Sequence, residues 1–403
     1  LRGRPRRHPR VVTAAELFCP VGEGWYGLKK DTIVGGALIL AAALIVSRFL
    51  GAVYWIFLAN IIGAEGIGLF TMAYSIYNVA LVLATAGIPV AISKLVAEKV
   101  ARGDGRGAFR VFQVSWVILA GLGLLFSLAL FALAGPVARE VFRDERASYS
   151  VAAMAPAVFL LAVASSDRGF FQGLQRMSPT TASTVLEQVV RVGTSVGLAV
   201  ALLPMGLGLA AAGANLGASA GAVASLALLL GIYLRQRPAL ARELAPGPPG
   251  SREGVREVAG RIISFSIPIS LAALILPIIS LLDTAVVPAR LQLSGVPVQE
   301  STALFGKLSG MASRVFYFPT MITAAMALSL VPAVSEAAAV RDPGLLKARV
   351  TTGYRLTFLL LLPAAAGLFM LSDRITLLLF KDAGAGPPLA VLSSGLLFLG
   401  LQQ

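Results

Sequence analysis

At 403 residues, 57% hydrophobic and only 13% charged, with a mean hydropathy of +0.82, the chain lacks the polar residues to clothe water-facing domains. An ordinary soluble chain is roughly a quarter charged, so this one is read as an all-α integral membrane protein with lipid as its main solvent. The net charge of +14 alternates with apolar stretches, a pattern of membrane orientation, and no nucleic-acid partner is expected.

Residues 1–27 are basic and then nondescript, without the apolar core of a signal peptide. They read either as a disordered cytoplasmic tail or as sequence preceding a start at Leu28, because Leu28-Lys29-Lys30 directly precedes the first span. A membrane helix needs about 20 largely apolar residues. Ten candidates follow, near 33–58, 68–93, 111–134, 150–167, 181–203, 207–233, 262–286, 308–332, 355–371 and 387–401. Gly63-Ala64-Glu65-Gly66-Ile67-Gly68 contains no complete nucleotide-binding fingerprint and reads as the tight turn between the first two spans.

The stretch 234–260 carries five arginines and Pro246-Gly247-Pro248-Pro249-Gly250, and reads as a water-exposed linker. It divides an N-lobe of six spans (28–233) from a C-lobe of about four (261–403), incomplete because the chain stops at Leu401-Gln402-Gln403 as an apolar segment finishes. The connectors after spans 2, 4, 6 and 8 are basic, whereas those after spans 1 and 5 have no Lys or Arg. This asymmetry predicts a multi-pass protein with its amino terminus and the long linker in the cytoplasm.

The single cysteine, Cys19, and the single histidine, His8, both precede the first span. The apolar body therefore has no imidazole for a catalytic triad, a zinc site or a haem. No enzyme activity, cofactor or metal is expected. Without an ATPase motif, any pumping must draw on an ion gradient or the substrate's own gradient.

Charged side chains within the spans are costly, about 2.5–3.5 kcal/mol at mid-membrane on insertion scales, and they are the candidate site. Arg48 lies in the middle of span 1. It reads as a cavity guanidinium for an anionic substrate, gripping phosphate through two parallel hydrogen bonds, or as half of an interhelical ion pair. Glu187 and Arg191 sit one turn apart on span 5 and read equally as a self-neutralised pair or as substrate contacts. Asp283, towards one end of span 7, is a candidate ion-coupling carboxylate or an interfacial one. Arg314, early in span 8, either faces a cavity or snorkels to the surface.

Ser47-Arg48-Phe49-Leu50-Gly51, Ile61-Ile62-Gly63-Ala64-Glu65-Gly66-Ile67-Gly68 and Ala86-Gly87-Ile88-Pro89-Val90-Ala91-Ile92-Ser93-Lys94 resemble the stage V sporulation protein B family. So do Gln172-Gly173-Leu174-Gln175-Arg176-Met177-Ser178-Pro179-Thr180, Glu187-Gln188-Val189-Val190-Arg191 and Leu282-Asp283-Thr284. That family lies in the polysaccharide-exporter branch of the multidrug/oligosaccharidyl-lipid/polysaccharide (MOP) superfamily. The resemblance implies two helix bundles around a central cavity and flipping of undecaprenyl-diphosphate-linked saccharides, such as the peptidoglycan precursor lipid II, by alternating access. The partners implied are that lipid-linked oligosaccharide and membrane lipids, in a bacterial cell membrane, with the coupling cation left open. Related MurJ-type flippases use arginines of the first and eighth helices, which Arg48 and Arg314 match by motif. The chain has Tyr54-Trp55 where those proteins carry an Arg-Asp pair, and Ser313 where they carry an Asp, so the implied cavity is less charged. The alternatives are a cation-coupled drug exporter centred on Asp283 or Glu187, and a non-transporting membrane scaffold.

Overall fold

The computed structural model describes residues 33–244, 253–340 and 342–402, and it is helical throughout with no strand among them. The basic tail, the Leu28 start, Cys19 and His8 lie outside the described residues.

The elements run in chain order as α1 (Ile33–Thr85), α2 (Ile88–Ala101), α3 (Gly105–Ala132), α4 (Ala147–Gly173), α5 (Met177–Leu202), α6 (Leu207–Glu243) and α7 (Val255–Leu293). Then come α8 (Val298–Phe305), a π-helical turn (Gly306–Ala312), α9 (Ser313–Tyr317), α10 (Thr320–Ala339), α11 (Pro343–Met370), α12 (Ser372–Phe380), α13 (Gly386–Ser393) and α14 (Leu396–Gln402).

Seven helices among the described residues are long and apolar enough to cross a bilayer, and the pair α13 and α14, bent by 54°, supplies an eighth. Ten were expected, and two local features account for the difference. Spans 1 and 2 follow one another within α1 without a connector, as two helical arms that meet at a kink at Gly63, whose φ of 66° interrupts the helix. Positive φ with a ψ of −176° is a conformation essentially confined to glycine, so glycine belongs at the bend. The chain doubles back there, bringing the rings of Trp55 and Phe70 to 5.1 Å. The eighth span, expected near 308–332, starts inside the π-helical turn, is interrupted again at Pro319, and divides into that turn, α9 and α10.

The linker expected over 234–260 is helical on both flanks. Helix α6 runs on to Glu243 and α7 starts at Val255, so the Arg235 and Arg237 positions belong to an extended helix.

Small residues set how closely the helices approach. Gly213, Gly217 and Gly221 recur every fourth residue along α6, where a Cβ on Gly221 would stand 2.6 Å from the carbonyl oxygen of Glu187. This small-residue face lets the backbones of α5 and α6 touch, as membrane helices do where packing rather than water drives association. Helices α7 and α11 instead leave large apolar side chains exposed, among them Leu271, Leu276 and Leu359, a surface suited to lipid.

Polar ties join the first six spans to the later helices at both ends of the bundle. At the end carrying Gly63, Arg146 donates to Glu65 at 2.5 Å and to Asp144 at 2.8 Å, and Asp144 accepts from the Thr302 hydroxyl at 2.8 Å. At the other end, Lys99 meets Glu253 at 2.9 Å and Asp104 at 3.2 Å, and Arg261 meets Glu98 at 3.1 Å.

Candidate functional site

The site is built from α1, α4, α5, α6 and α9. Glu187 and Arg191 pair on one face of α5 as their spacing predicts, with Arg191 Nη2 donating to Glu187 Oε1 at 2.5 Å. The second carboxylate oxygen, Oε2, accepts from Arg168 Nη2 of α4 at 2.6 Å. Arg168 is further fixed by Ser225 of α6, at 2.7 Å from Nη2, and by Ser183 of α5, at 3.3 Å from Nε. One carboxylate thus serves two guanidinium groups, and the buried Asp167 carboxyl, next to Arg168 in the chain, lies within electrostatic reach of that arginine. The Glu187, Arg168 and Arg191 side chains are only 12–22% exposed. Arg191 Nε is buried and has no hydrogen-bond partner among the described residues.

Arg168 was missed in the sequence because it falls just past the predicted fourth span and reads there as a loop cation. Helix α4 continues to Gly173 and carries it into the bundle. The readable clue is the adjacent Asp167-Arg168 pair at the end of an apolar run, charged residues that are costly beside a membrane span.

Facing this cluster is an aromatic ledge on α1. Trp55 meets Phe70 edge-on at 5.1 Å, Phe70 stacks on Tyr74 at 6.0 Å, and Tyr74 lies 5.8 Å from Tyr77. Tyr54, Tyr74 and Tyr77 lie within electrostatic reach of Arg191. Span 5 meets span 1 directly, since a Cβ on Gly51 would stand 3.4 Å from the Gln188 side-chain nitrogen.

Arg314 enters from α9. Its guanidinium sits over the Trp55 ring at 4.3 Å from the centroid. The side chain is exposed and forms no ion pair among the described residues. Tyr54 lies within electrostatic reach of both Arg314 and Arg191, so arginines from both halves of the chain converge on one aromatic surface.

Two further sequence-predicted residues remain. Arg48 lies on α1, and its side chain is outside the described residues. Asp283 lies exposed on α7 and takes no part in the arginine cluster. Among the described residues no group of three or more His, Cys, Asp or Glu side chains gathers to hold a metal.

The fold matches solved membrane transporters. An inward-facing multidrug resistance MATE family transporter of the MOP superfamily superposes with a TM-score of 0.64 at 15% identity, over 91% of this chain and 84% of that one. An outward-facing structure of a MATE family transporter gives 0.55 at 16% identity, over 93% and 80%. The chain therefore has the all-α membrane fold of these MATE family structures.

Residues 33–338 match the family described as polysaccharide biosynthesis protein, and residues 302–399 match the lipid II flippase MurJ family. Stage V sporulation protein B of Bacillus subtilis (strain 168) is 32% identical over 358 residues, 89% of this chain and 68% of that protein. Lipid II flippase MurJ of the same organism is 24% identical over 355 residues, 85% of this chain and 65% of that protein. The chain belongs to the polysaccharide biosynthesis protein family, alongside stage V sporulation protein B. It is a multi-pass membrane flippase or transporter related to these proteins and not an enzyme. It spans about two thirds of the length of these two relatives.

Proposed function

We propose that the protein moves a lipid-linked saccharide with an acidic diphosphate headgroup between membrane leaflets: undecaprenyl-diphosphate-linked lipid II or a related polysaccharide intermediate. The observation that carries this reading is the surplus of guanidinium over carboxylate at the site. Arg314 is exposed and unpaired among the described residues, so three guanidinium groups, Arg168, Arg191 and Arg314, stand against the two carboxyl groups of Glu187 and Asp167. A guanidinium presents N–H donors in a planar fork that matches two phosphate oxygens at once. A cationic drug would meet net repulsion in the same place, which disfavours the exporter alternative.

In this reading Arg314 and Arg48 grip the diphosphate, with Arg191 and Glu187 lining the approach and the lipid tail remaining in the bilayer. The two halves of the chain rock about the 234–260 region, with the amino terminus and that region in the cytoplasm. The polar ties at the two ends, Asp144 to Thr302 and Lys99 to Glu253, are the contacts such rocking would break in turn. Asp283 is kept as the candidate coupling carboxylate, because an exposed acidic group within an apolar helix has a substantial insertion cost.

The test is reconstitution of the purified protein in proteoliposomes with fluorescent undecaprenyl-diphosphate-linked saccharides, alongside an undecaprenyl-linked glycan without the diphosphate. Movement of the diphosphate lipids and not of the uncharged one is expected. Equal movement of both, or of neither, overturns the reading.

A further inference from the structure

We propose that Trp55 is the positioning residue for Arg314, holding its guanidinium stacked so that its hydrogen-bonding edges stay free for the diphosphate. The inference rests on the reading of Arg314 as a headgroup contact.

Four contacts on Trp55 support it. The face of the indole lies under the guanidinium, 4.3 Å from centroid to Cζ. Its N–H donates to the carbonyl oxygen of Gly310 at 2.6 Å, in the π-helical turn that delivers Arg314 one helical turn later. The ring is itself locked, only 6% exposed and braced edge-on by Phe70 at 5.1 Å and Tyr54 at 6.5 Å. Single π-helical turns within helices are frequent at functional sites. Here one side chain fixes both the turn and the cation leaving it.

The chemistry of stacking explains why an aromatic ring suits this role better than a carboxylate. All five guanidinium N–H donors lie in the plane of the group. A carboxylate partner would occupy two of them and neutralise the charge. Stacking on a ring face uses none of them, restricts the rotamers of a long side chain, and contributes attraction of its own. Trp55 thus preorganises Arg314 without competing for its ligand, which lowers the ordering cost of binding. Gly310 completes the arrangement. A Cβ there would stand 2.0 Å from Ile67 Cγ2, so its absence lets the π-helical turn lie against α1 and bring its carbonyl within reach of the indole.

The test uses the complete protein in two arms. In the first, Trp25 and Trp116, the other two tryptophans of the chain, are replaced by Phe so that Trp55 is the sole indole. Arg314→Ala is expected to change the Trp55 emission intensity, and unchanged emission overturns the stacking. This arm needs neither substrate nor a substitution at Trp55.

In the second arm, flipping of undecaprenyl-diphosphate-linked disaccharide is measured against lipid concentration. Trp55→Leu is expected to raise the half-saturating concentration about tenfold, the scale of a partly desolvated cation–π contact, with a smaller change in maximal rate. Trp55→Phe, which keeps a ring face but loses the N–H, is expected to recover part of the affinity. In an Arg314→Ala background Trp55→Leu should add little. Fully additive effects, or Trp55→Phe no better than Trp55→Leu in protein that folds equally well, overturn the positioning role. If Arg314→Ala changes the emission yet flips with unchanged half-saturation, the headgroup reading of Arg314 fails, and the proposed role of Trp55 fails with it.

Discussion

Replacing Glu187 by Gln tests whether the arginine cluster is a tie between helices. Glu187 accepts 2.5 and 2.6 Å hydrogen bonds from two arginines on different helices. Glutamine retains one acceptor oxygen and loses the charge. Hydrogen bonds to charged groups contribute roughly 1.5–3 kcal/mol each, and removing one partner of a fully buried ion pair costs about 3–5 kcal/mol. Because these side chains keep 12–22% exposure, the expected loss falls below that upper range, at about 2–3 kcal/mol. Thermal unfolding in detergent would measure it, with Arg168→Met in the same background expected to restore part of the loss by removing one uncompensated cation. Glu187→Gln within about 0.5 kcal/mol of the parent would refute the structural tie and leave a direct substrate role for the carboxylate.

Gly306→Ala would place a Cβ 1.9 Å from the carbonyl oxygen of Ala64, a backbone atom that cannot swing aside. Overpacking typically costs about 1–3 kcal/mol, so a lower melting temperature is expected, and an unchanged one would mean that α1 and the π-helical turn part freely. Asp144, outside the spans, is pushed up by burial, but hydrogen bonds from Arg146 and Thr302 outweigh this and hold its carboxyl below the usual range. A depressed folded value stabilises above the unfolded carboxylate value near ~3.9 and is lost as pH falls through the lower folded value. Melting temperature should therefore fall in acid below about pH 4, and Asp144→Asn should flatten that part of the profile; an unaltered acid slope would show that the tie contributes nothing.

The long apolar spans were legible because lipid demands runs of about 20 apolar residues whatever their neighbours. The bend at Gly63 was legible because a glycine-rich hexapeptide between apolar runs has few other uses. The Glu187–Arg191 pair followed from helical spacing alone. The partnership of Arg168 with Glu187 was not readable, since it depends on how α4 and α5 pack and on α4 running six residues past its expected end. The division of the eighth span was hidden for a related reason: a π-helical turn changes hydrogen-bond register without changing hydrophobicity. Trp55 was noted only as a departure from related sequences, because a ring face beneath a guanidinium more than 250 residues away leaves no local pattern.

The most direct measurement is flipping of fluorescent undecaprenyl-diphosphate-linked saccharide by the Arg314→Ala protein in proteoliposomes, with membrane insertion and melting temperature checked in parallel. Loss of flipping with insertion and melting unchanged is the expected result. Flipping at the parent rate would contradict a diphosphate held by guanidinium at this site.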